Sequence, residues 1–274
     1  MTALLEANGL SRHFGGLIAV DSVNMTINEG EVRGLIGPNG AGKTTLLNLI
    51  GGQIAPSSGR LLFAGRELSH ERPDRRAALG MRRTFQNLRL FREMTVLENV
   101  MVGLHANTHA EALAALLRTP RQRKEESWMA EESARALALV GLADRANDVA
   151  SALAYGHRRL LEIARAVVAG PRLLLLDEPT AGLNATESAQ FVGLVRKIAD
   201  SGVAIILVEH HMDVVMSACT HITVLNYGRL LAQGTPAEIR ENHDVLEAYL
   251  GYDELEDEME PQANKETGPA AAIG

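Results

Sequence analysis

Hydrophobic and polar positions alternate with short periods in the N-terminal part of the chain, which predicts strands separated by turns. Val20–Ile27 alternates loosely, and Val32–Ile36 is a short apolar run. A glycine-rich loop follows, and the helical spacing of Thr44–Ile50 predicts a helix directly after it. Pro56–Gly59 predicts a turn, and Arg60–Phe63 a further strand. This region therefore combines strands with one loop–helix unit.

The middle of the chain changes to a helical pattern. Leu97–Leu142 is rich in Ala, Leu, Glu and Arg at helical spacing. Within it, Arg118–Lys124 contains Pro120 and several basic residues, so we expect this segment to break the helix and lie in solvent.

The last part returns to alternating strands and helices. Two of its predicted strands, Leu173–Leu176 and Val203–Val208, are completely apolar, as expected where both faces of a sheet are covered. The predicted strands are Leu173–Leu176, Val203–Val208 and His221–Leu225, and the predicted helices are Glu187–Asp200 and Met212–Ala218. Together these patterns predict an α/β sheet protein interrupted by a helical insert.

Composition narrows the function classes. The chain has 274 residues, 46% hydrophobic and 22% charged, with a net charge of −7. Six of the acidic residues lie in Asp253–Glu260, so the remainder is almost neutral and global charge gives no argument for nucleic-acid binding. We predict that residues 253–274 form an acidic, disordered tail.

Cysteine usage and apolar runs bear on the compartment. Cys219 is the single cysteine, which excludes an internal disulfide and favours a reducing compartment. The segment Met1–Leu10 does not have the pattern of a signal peptide. No apolar run approaches the roughly 18 residues of a membrane-spanning helix. We therefore expect a cytoplasmic, soluble chain that reaches a membrane only through partners.

A phosphate-binding motif lies between a predicted strand and a predicted helix. Gly37–Thr44 matches G-x-x-x-x-G-K-[ST] at every fixed position. Glycines let backbone amides surround phosphate oxygens, the lysine reaches the terminal phosphates, and the hydroxyl of Thr44 binds Mg²⁺. The expected nucleotide-binding residues of this motif are Gly37, Pro38, Asn39, Gly40, Ala41, Gly42, Lys43, Thr44 and Thr45.

Two carboxylates end the four-leucine strand. Asp177 and Glu178 follow Leu176 directly, at the strand end where α/β proteins bind ligands. We expect Asp177 to hold Mg²⁺ through water and Glu178 to activate the attacking water molecule.

From Leu4 to Gly251 the order of these motifs resembles that of the ATP-binding subunits of ABC (ATP-binding cassette) transporters. The resemblance implies a P-loop NTPase (RecA-like) core with an N-terminal antiparallel β subdomain and an inserted α-helical subdomain. It places an ATPase domain at residues 1–252, with the helical subdomain at 88–159. It also implies that Phe14 packs against adenine, that Gln86 contacts Mg²⁺ and water, and that His210 contacts the γ-phosphate. Because His211 is the next residue, it is the alternative to His210 for the γ-phosphate contact.

The signature segment of that family corresponds to Leu153–His157. The expected nucleotide-binding residues here are Ala154, Tyr155, Gly156 and His157, and three of them depart from the common Leu-Ser-Gly-Gly-Gln pattern. Ala154 lacks a hydroxyl, whereas the amide of Gly156 and the helix N-terminus remain for anion binding. Asn184 replaces the usual Asp of the next loop, so a charge-dependent role there is in doubt. In this family two subunits pair head to tail, each completing the site of the other.

Further stretches resemble the ATP-binding subunits of branched-chain amino-acid importers. They are residues 83–91, 154–156, 181–184 and 245–251. This implies an ATPase at the inner face of the membrane, with a second ATPase subunit, two permeases and, indirectly, a periplasmic solute-binding protein. Leu88–Met94 is our candidate for the groove that receives a permease helix; an ordinary apolar patch is the alternative.

Other functions were weighed against the importer. A soluble ABC-type ATPase acting on nucleic acid is an alternative, but the chain has neither a second cassette nor an added basic domain. A weakly catalytic partner subunit is another alternative. Lys43, Glu178 and His210 argue against it, whereas Ala154 and Asn184 leave some room for it. The arginine-rich segment 72–83 is interpreted as solvated structure, and His105 with His109 is not interpreted as a metal site.

Overall fold

The computed structural model describes residues 3–84, 90–104 and 120–249. Four strands near the N-terminus form an antiparallel sheet, namely β1 (Leu5–Phe14), β2 (Leu17–Ile27), β4 (Ser58–Phe63) and β5 (Arg66–Glu67). Their order across the sheet is β2-β1-β4-β5. This sheet is the expected N-terminal antiparallel β subdomain, and β1 was not predicted as a separate strand from the sequence pattern.

A second, six-stranded sheet forms the centre of the protein. Its strands are β3 (Val32–Ile36), β6 (Met81–Arg83), β7 (Leu173–Asp177), β8 (Ala204–Val208), β9 (His221–Asn226) and β10 (Arg229–Gly234). The order is β10-β9-β3-β8-β7-β6, and every pair is parallel except β10 with β9. The carboxyl ends of β3 and β7 therefore lie at one edge of the sheet, with β8 between them.

Helices surround the central sheet and form the insert between β6 and β7. They are α1 (Lys43–Gly51), α2 (Pro73–Ala78), α3 (Val96–Val102), α4 (Pro120–Leu139), α5 (Tyr155–Val167), α6 (Ala185–Asp200), α7 (Met212–Ala218) and α8 (Pro236–Arg240). Residues 243–249 are also helical. Helices α3, α4 and α5 pack against one another, as expected for a helical insert. The predicted P-loop NTPase architecture is confirmed.

The four leucines of β7 explain why this strand is apolar at every position. Leu173 and Leu175 contribute to a core shared with α1 and the N-terminal sheet. Leu174 and Leu176 face the opposite core, which contains the helical side of the molecule. All four side chains are 0% exposed, and burial of each contributes about 2 kcal/mol. A strand buried on both faces has no position for a polar side chain until its end, where Asp177 lies.

The prediction that Arg118–Lys124 breaks the helix was wrong for residues 120–124, whereas the exposed position of Lys124 agrees with the prediction that the segment lies in solvent. Helix α4 begins at Pro120 and continues through Lys124 to Leu139. A proline is tolerated in the first turn of a helix because the amide that it lacks has no partner there. Helix α5 begins at Tyr155, inside the segment that resembles the family signature.

The interpretation of segment 72–83 as solvated structure was also wrong for two of its arginines. The side chain of Arg76 is buried, with the residue 1% exposed, and its guanidinium donates to the carbonyls of Leu49 (2.7 Å) and Ile50 (2.6 Å). The side chain of Arg83 is 10% exposed. Both arginines lie beside α1, where backbone carbonyls and carboxylates satisfy their charge.

Within the described ranges, no helix is both long and apolar enough to cross a membrane.

Candidate nucleotide site

The phosphate loop joins β3 to α1 and depends on glycine at two close approaches of the backbone. Gly37 (φ 147°) and Gly42 (φ 98°) adopt positive φ angles. A Cβ at Gly37 would lie 2.1 Å from the carbonyl oxygen of Leu225, and one at Gly42 would lie 2.4 Å from that of Ala19. Any larger residue would displace the loop, so the glycines of the motif are required by packing as well as by φ.

Lys43 begins α1 and folds back over the loop. Its Nζ donates to the carbonyl oxygens of Gly37 (2.6 Å) and Pro38 (2.9 Å). Burial lowers the pKa of the Lys43 ammonium, and the nearby charge of Glu178 acts in the opposite direction. The lysine is thereby held at the mouth of the loop, where a terminal phosphate would lie.

The loop and Glu178 share one cleft of about 390 Å³. The predicted residues that line it are Asn39, Gly40, Ala41, Gly42, Lys43, Thr44, Thr45 and Glu178. Gly37 and Pro38 lie at the start of the loop, where their carbonyls accept from Lys43. The structure therefore brings together the two motifs that lie far apart in the sequence.

Asp177 lies at the end of β7 and is 5% exposed. Arg83 donates to its Oδ2 at 2.9 Å and also to Asn48 of α1 at 2.7 Å. The exposed hydroxyl of Thr44 and the carboxylate of Asp177 offer the oxygen donors that Mg²⁺ prefers, so the residues present fit this ion. Arg83 ties the end of β7 to the phosphate-loop helix, a link that sequence reasoning missed.

Glu178 has an unusual backbone conformation for a residue with a side chain. Its φ is +47°, which costs on the order of 1 kcal/mol and is typical of residues held by their surroundings at functional sites. Its amide donates to the carbonyl of Val208 on the neighbouring strand at 2.9 Å. This conformation lets the Glu178 side chain line the cleft while Asp177 remains buried.

The loop after β8 carries Glu209, His210 and His211. The two imidazole rings are exposed, with centroids 4.2 Å apart and planes tilted by 40°. Nδ1 of His211 lies 3.2 Å from Oγ1 of Thr180 and 3.4 Å from a carboxylate oxygen of Glu209. Glu209, in contrast, is buried, with 1% exposure. The two histidines are thus held differently, although they are neighbours in the sequence.

Ligand atoms of Glu209, His210 and His211 lie within 4.8 Å of one another, a spacing that a metal ion could span. Both carboxylate oxygens of Glu209, however, accept hydrogen bonds from the protein, from Thr180 and from the amide of His210. We therefore interpret Glu209 as a structural residue and not as a metal ligand. His105 and His109, the other histidine pair considered, lie outside the described residues.

Phe14 lies at the end of β1 and is 45% exposed. The guanidinium carbon of Arg12 lies 4.5 Å from the centroid of its ring, a cation–π contact. Leu17 and Ile18, rather than Phe14, line the phosphate cleft, as does Tyr227. Tyr227 is 75% exposed and has a φ of +46° in the turn between β9 and β10. Sequence reasoning missed it, although the Tyr-Gly pair indicates a turn.

Gln86 lies outside the described residues.

The signature segment lies at the N-terminus of α5, with Ala154 as the N-cap. Gly156 and His157 line a different cavity, of about 500 Å³, together with Leu183 and Glu187. The hydroxyl of Tyr155 accepts from Arg159 at 3.0 Å. The structure of one chain therefore does not bring the signature segment into the phosphate cleft.

Asn184 has a local structural role that the sequence pattern could have revealed. It is the N-cap of α6, and its side-chain oxygen accepts from the amide of Glu187 at 2.9 Å. The Glu187 carboxylate accepts from the amide of Asn184, which completes a capping box. Asn and Asp cap helices about equally well, so this departure from the family pattern preserves the helix start.

The fold and the phosphate loop define a P-loop nucleotide-binding protein. The sequence profile of the family "ABC transporter" matches residues 20–181, and that of "Branched-chain amino acid ATP-binding cassette transporter" matches residues 229–254. The chain belongs to the ABC transporter family, among the ATP-binding proteins of branched-chain amino acid transport. It is an ATP-hydrolysing ABC ATPase.

Individual relatives cover nearly the whole chain. The high-affinity branched-chain amino acid transport ATP-binding protein BraF of Pseudomonas aeruginosa is 45% identical over 249 residues, 90% of this chain and 98% of the relative. LivG of Escherichia coli K12 has the same identity and coverage. A solved ATP-binding cassette of an ABC transporter in its ADP conformation is 27% identical, with a TM-score of 0.79, over 92% of this chain and 100% of that structure.

Proposed function

We propose that this chain couples ATP hydrolysis to the import of branched-chain or related hydrophobic amino acids. The observation that carries the proposal is the joining of the phosphate loop and Glu178 in one cleft, in a chain whose C-terminal residues match the branched-chain transporter profile. The transported solute is inferred from the named activity of the relatives, because no residue of an ATP-binding subunit contacts it.

In the proposed reaction the chain contributes positioning and charge. Lys43 and the loop amides bind the terminal phosphates, while Thr44 and Asp177 hold Mg²⁺. When bound, the ion would neutralise charge that develops on the phosphate oxygens. Glu178 orients and activates the attacking water from its place in the cleft. The family resemblance assigns the contact with the ion and the water to Gln86, and the contact with the γ-phosphate to His210.

Phe14 is proposed to pack against the adenine ring. One approach to its ring is covered by the guanidinium of Arg12, and 45% of the residue remains exposed for a base. Stacking between aromatic rings is tolerant of small shifts, which suits a site at the end of a strand.

We propose that two ATPase subunits form a head-to-tail dimer. Ala154, Tyr155, Gly156 and His157 lie at the start of α5, away from the phosphate cleft of their own chain. An N-terminal helix end with free amides favours a phosphate, so a partner's nucleotide is the ligand that this position fits. ATP would then join the subunits and hydrolysis would separate them.

Two integral membrane permeases, fed by a periplasmic solute-binding protein, complete the proposed transporter. Of the candidate groove Leu88–Met94, residues 90–94 are described; Phe91 is 48% and Met94 38% exposed. Asn99, fully buried, accepts from the amide of Phe91 and donates to its carbonyl, both at 2.9 Å. The exposed apolar side chains of Phe91 and Met94, on a loop held by Asn99, support docking of a permease helix and a location at the inner face of the membrane.

Uptake of labelled leucine by a strain lacking this chain tests the proposal. We expect the deletion to abolish high-affinity uptake, the wild-type chain to restore it, and Lys43→Ala to fail because phosphate binding is lost. Uptake that persists in the deletion strain, or that Lys43→Ala restores fully, would contradict the proposed function. Matched expression of both chains in membrane fractions is the control.

A further inference from the structure

A buried carboxylate connects the two loops that carry the proposed water-activating and phosphate-contacting residues. Oε1 of Glu209 accepts from the amide of Thr180 at 2.9 Å and from its hydroxyl at 2.6 Å. Oε2 accepts from the amide of His210 at 3.3 Å. Glu209 therefore links the loop after β7, two residues beyond Glu178, to the loop after β8.

Backbone hydrogen bonds also hold the loop after β7 in place. The amide of Glu178 donates to the carbonyl of Val208, the residue before Glu209, at 2.9 Å. The amide of Leu183 donates to the carbonyl of Thr180 at 3.0 Å. The position of Glu178 thus depends on the end of β8 through its own amide and, through Thr180, on the carboxylate of Glu209 in the loop after β8.

Proton counting at Thr180 determines how His211 is held. A threonine hydroxyl has one proton, and at 2.6 Å that proton is donated to Glu209. The contact of 3.2 Å between Oγ1 of Thr180 and Nδ1 of His211 then requires the imidazole to donate. Among the described residues, no side-chain hydrogen bond to the His210 ring is found, so His210 can turn toward a ligand while His211 is anchored.

The energetic balance favours a positional role for Glu209. A carboxylate that is 1% exposed loses most of its hydration, and this loss is costly unless several donors replace water. An apolar residue of similar volume would avoid that cost but could not hold the two loops through the amides of Thr180 and His210. The hydrogen bonds of Glu209 therefore act mainly by fixing the positions of the two loops, and they contribute less to the stability of the fold.

We propose that Glu209, Thr180 and His211 act as a positioning triad, which sets the loop of Glu178 against the loop of His210. In this arrangement His210 is the phosphate-contacting histidine, and His211 is a structural partner of Thr180. The proposal rests on the proposed roles of Glu178 and His210 in hydrolysis. It goes beyond them by assigning three residues that support the reaction without touching the nucleotide.

Steady-state hydrolysis by the full chain, with MgATP binding and thermal unfolding measured in parallel, tests the triad. We expect Thr180→Val to lower kcat about tenfold, because a hydrogen bond to a buried charge is lost, and to change the Kd for MgATP less than about twofold. Thr180→Ser should restore most of kcat because it keeps the hydroxyl. Glu209→Gln combined with Thr180→Val should lower kcat no further than the worse single variant.

Thr223→Val is the matched control for simple destabilisation. Thr223 is buried on β9, and its hydroxyl accepts from Arg33 at 3.2 Å. We expect it to lower Tm as Thr180→Val does and to leave kcat unchanged. The proposal is overturned if Thr180→Val keeps kcat within twofold of wild type, or if both valine variants lower kcat in proportion to Tm.

The histidines provide a second, independent arm. His210→Ala should abolish hydrolysis, whereas His211→Ala should lower kcat about as much as Thr180→Val and should add nothing to it. Glu178→Gln distinguishes a failure of the triad from a failure of the proposed roles of Glu178 and His210. If Glu178→Gln is inactive and Thr180→Val is normal, only the triad fails; if Glu178→Gln hydrolyses ATP normally, the underlying roles fail as well.

Discussion

At the scale of single residues, burial changes the chemistry that residue type alone would predict. In the sequence Lys43 is the lysine of the phosphate-binding motif; in the structure it also donates to two loop carbonyls, and burial lowers its pKa. Cys219 is an ordinary thiol in the sequence, yet it is 7% exposed and packs close to Gly34. The chemistry of such residues therefore depends on the residues that surround them in the fold.

Cys219 is expected to be unreactive in the folded protein. Burial, with a further contribution from the charge of Glu209, raises its pKa from 9.0 to about 12. Because the thiolate is the reactive form, alkylation of the native protein at pH 8 should be roughly a hundredfold slower than in denaturant, or slower still. The rate of thiol labelling with and without denaturant measures this. Native and unfolded rates within a few-fold of each other would contradict it.

The same shift gives a pH dependence with a definite sign. An acid whose pKa is higher in the folded state stabilises the fold below its unfolded pKa and loses that contribution as the pH rises. For Cys219 the loss falls between pH 9.0 and about pH 12. Cys219→Ala should therefore show a smaller decline in the free energy of unfolding across that window.

At the scale of elements, one arginine fixes the end of the phosphate-loop helix. Arg76 on α2 donates to the last carbonyls of α1, at Leu49 and Ile50, and to Leu68 at 2.6 Å. Helix carbonyl ends lack partners within the helix and favour a positive charge. Burial lowers the pKa of Arg76 to about 10, and these carbonyls satisfy the buried guanidinium.

Arg76→Met should lower the free energy of unfolding by about 3 kcal/mol or more, because several buried carbonyls would lose their donor. Chemical denaturation of the full chain measures the change. Arg72→Met is the control: the side chain of Arg72 is 81% exposed, and its replacement should change stability by less than about 0.5 kcal/mol. Equal effects of both substitutions would refute the capping role.

Elements differ in how much of them the sequence pattern could predict. β7 is predicted accurately because burial on both faces requires an unbroken apolar run. Helix α4 is predicted less well, because a proline inside a helical pattern predicts a break, whereas Pro120 is the first residue of this helix. Periodicity predicts whether an element is a helix or a strand. Whether a helix begins or ends at a proline depends on how the chain on each side of that proline packs.

At the scale of the whole molecule, the phosphate loop and the signature segment of one chain lie in different cavities. The phosphate loop and Glu178 share a cleft, but Gly156 and His157 line a separate cavity beside α6. In the proposed head-to-tail dimer, a second copy or a related subunit would bring its signature helix to the bound nucleotide. Hydrolysis would then act as a switch for association.

Glu178→Gln should therefore trap a dimer in the presence of ATP and Mg²⁺. The amide keeps the shape of the side chain but does not activate water, so the bound nucleotide persists between subunits. Light scattering of the purified chain measures the mass. Lys43→Ala, which loses phosphate binding, is expected to remain monomeric under the same conditions. A Glu178→Gln chain that stays monomeric with saturating MgATP, or wild-type turnover by that variant, would contradict this prediction.

The amino-acid sequence by itself determined the class of fold and the nucleotide chemistry, because a phosphate loop needs particular residues at particular spacings within one short segment. It also determined the buried strand that ends at Asp177 and Glu178. Only the tertiary structure decided that Arg83 binds Asp177, that Arg76 is buried at the end of α1, and that Glu209 joins Thr180 to the histidine loop. These contacts connect residues that are distant along the chain, and their partners are chosen by sheet order and packing, which local periodicity does not encode.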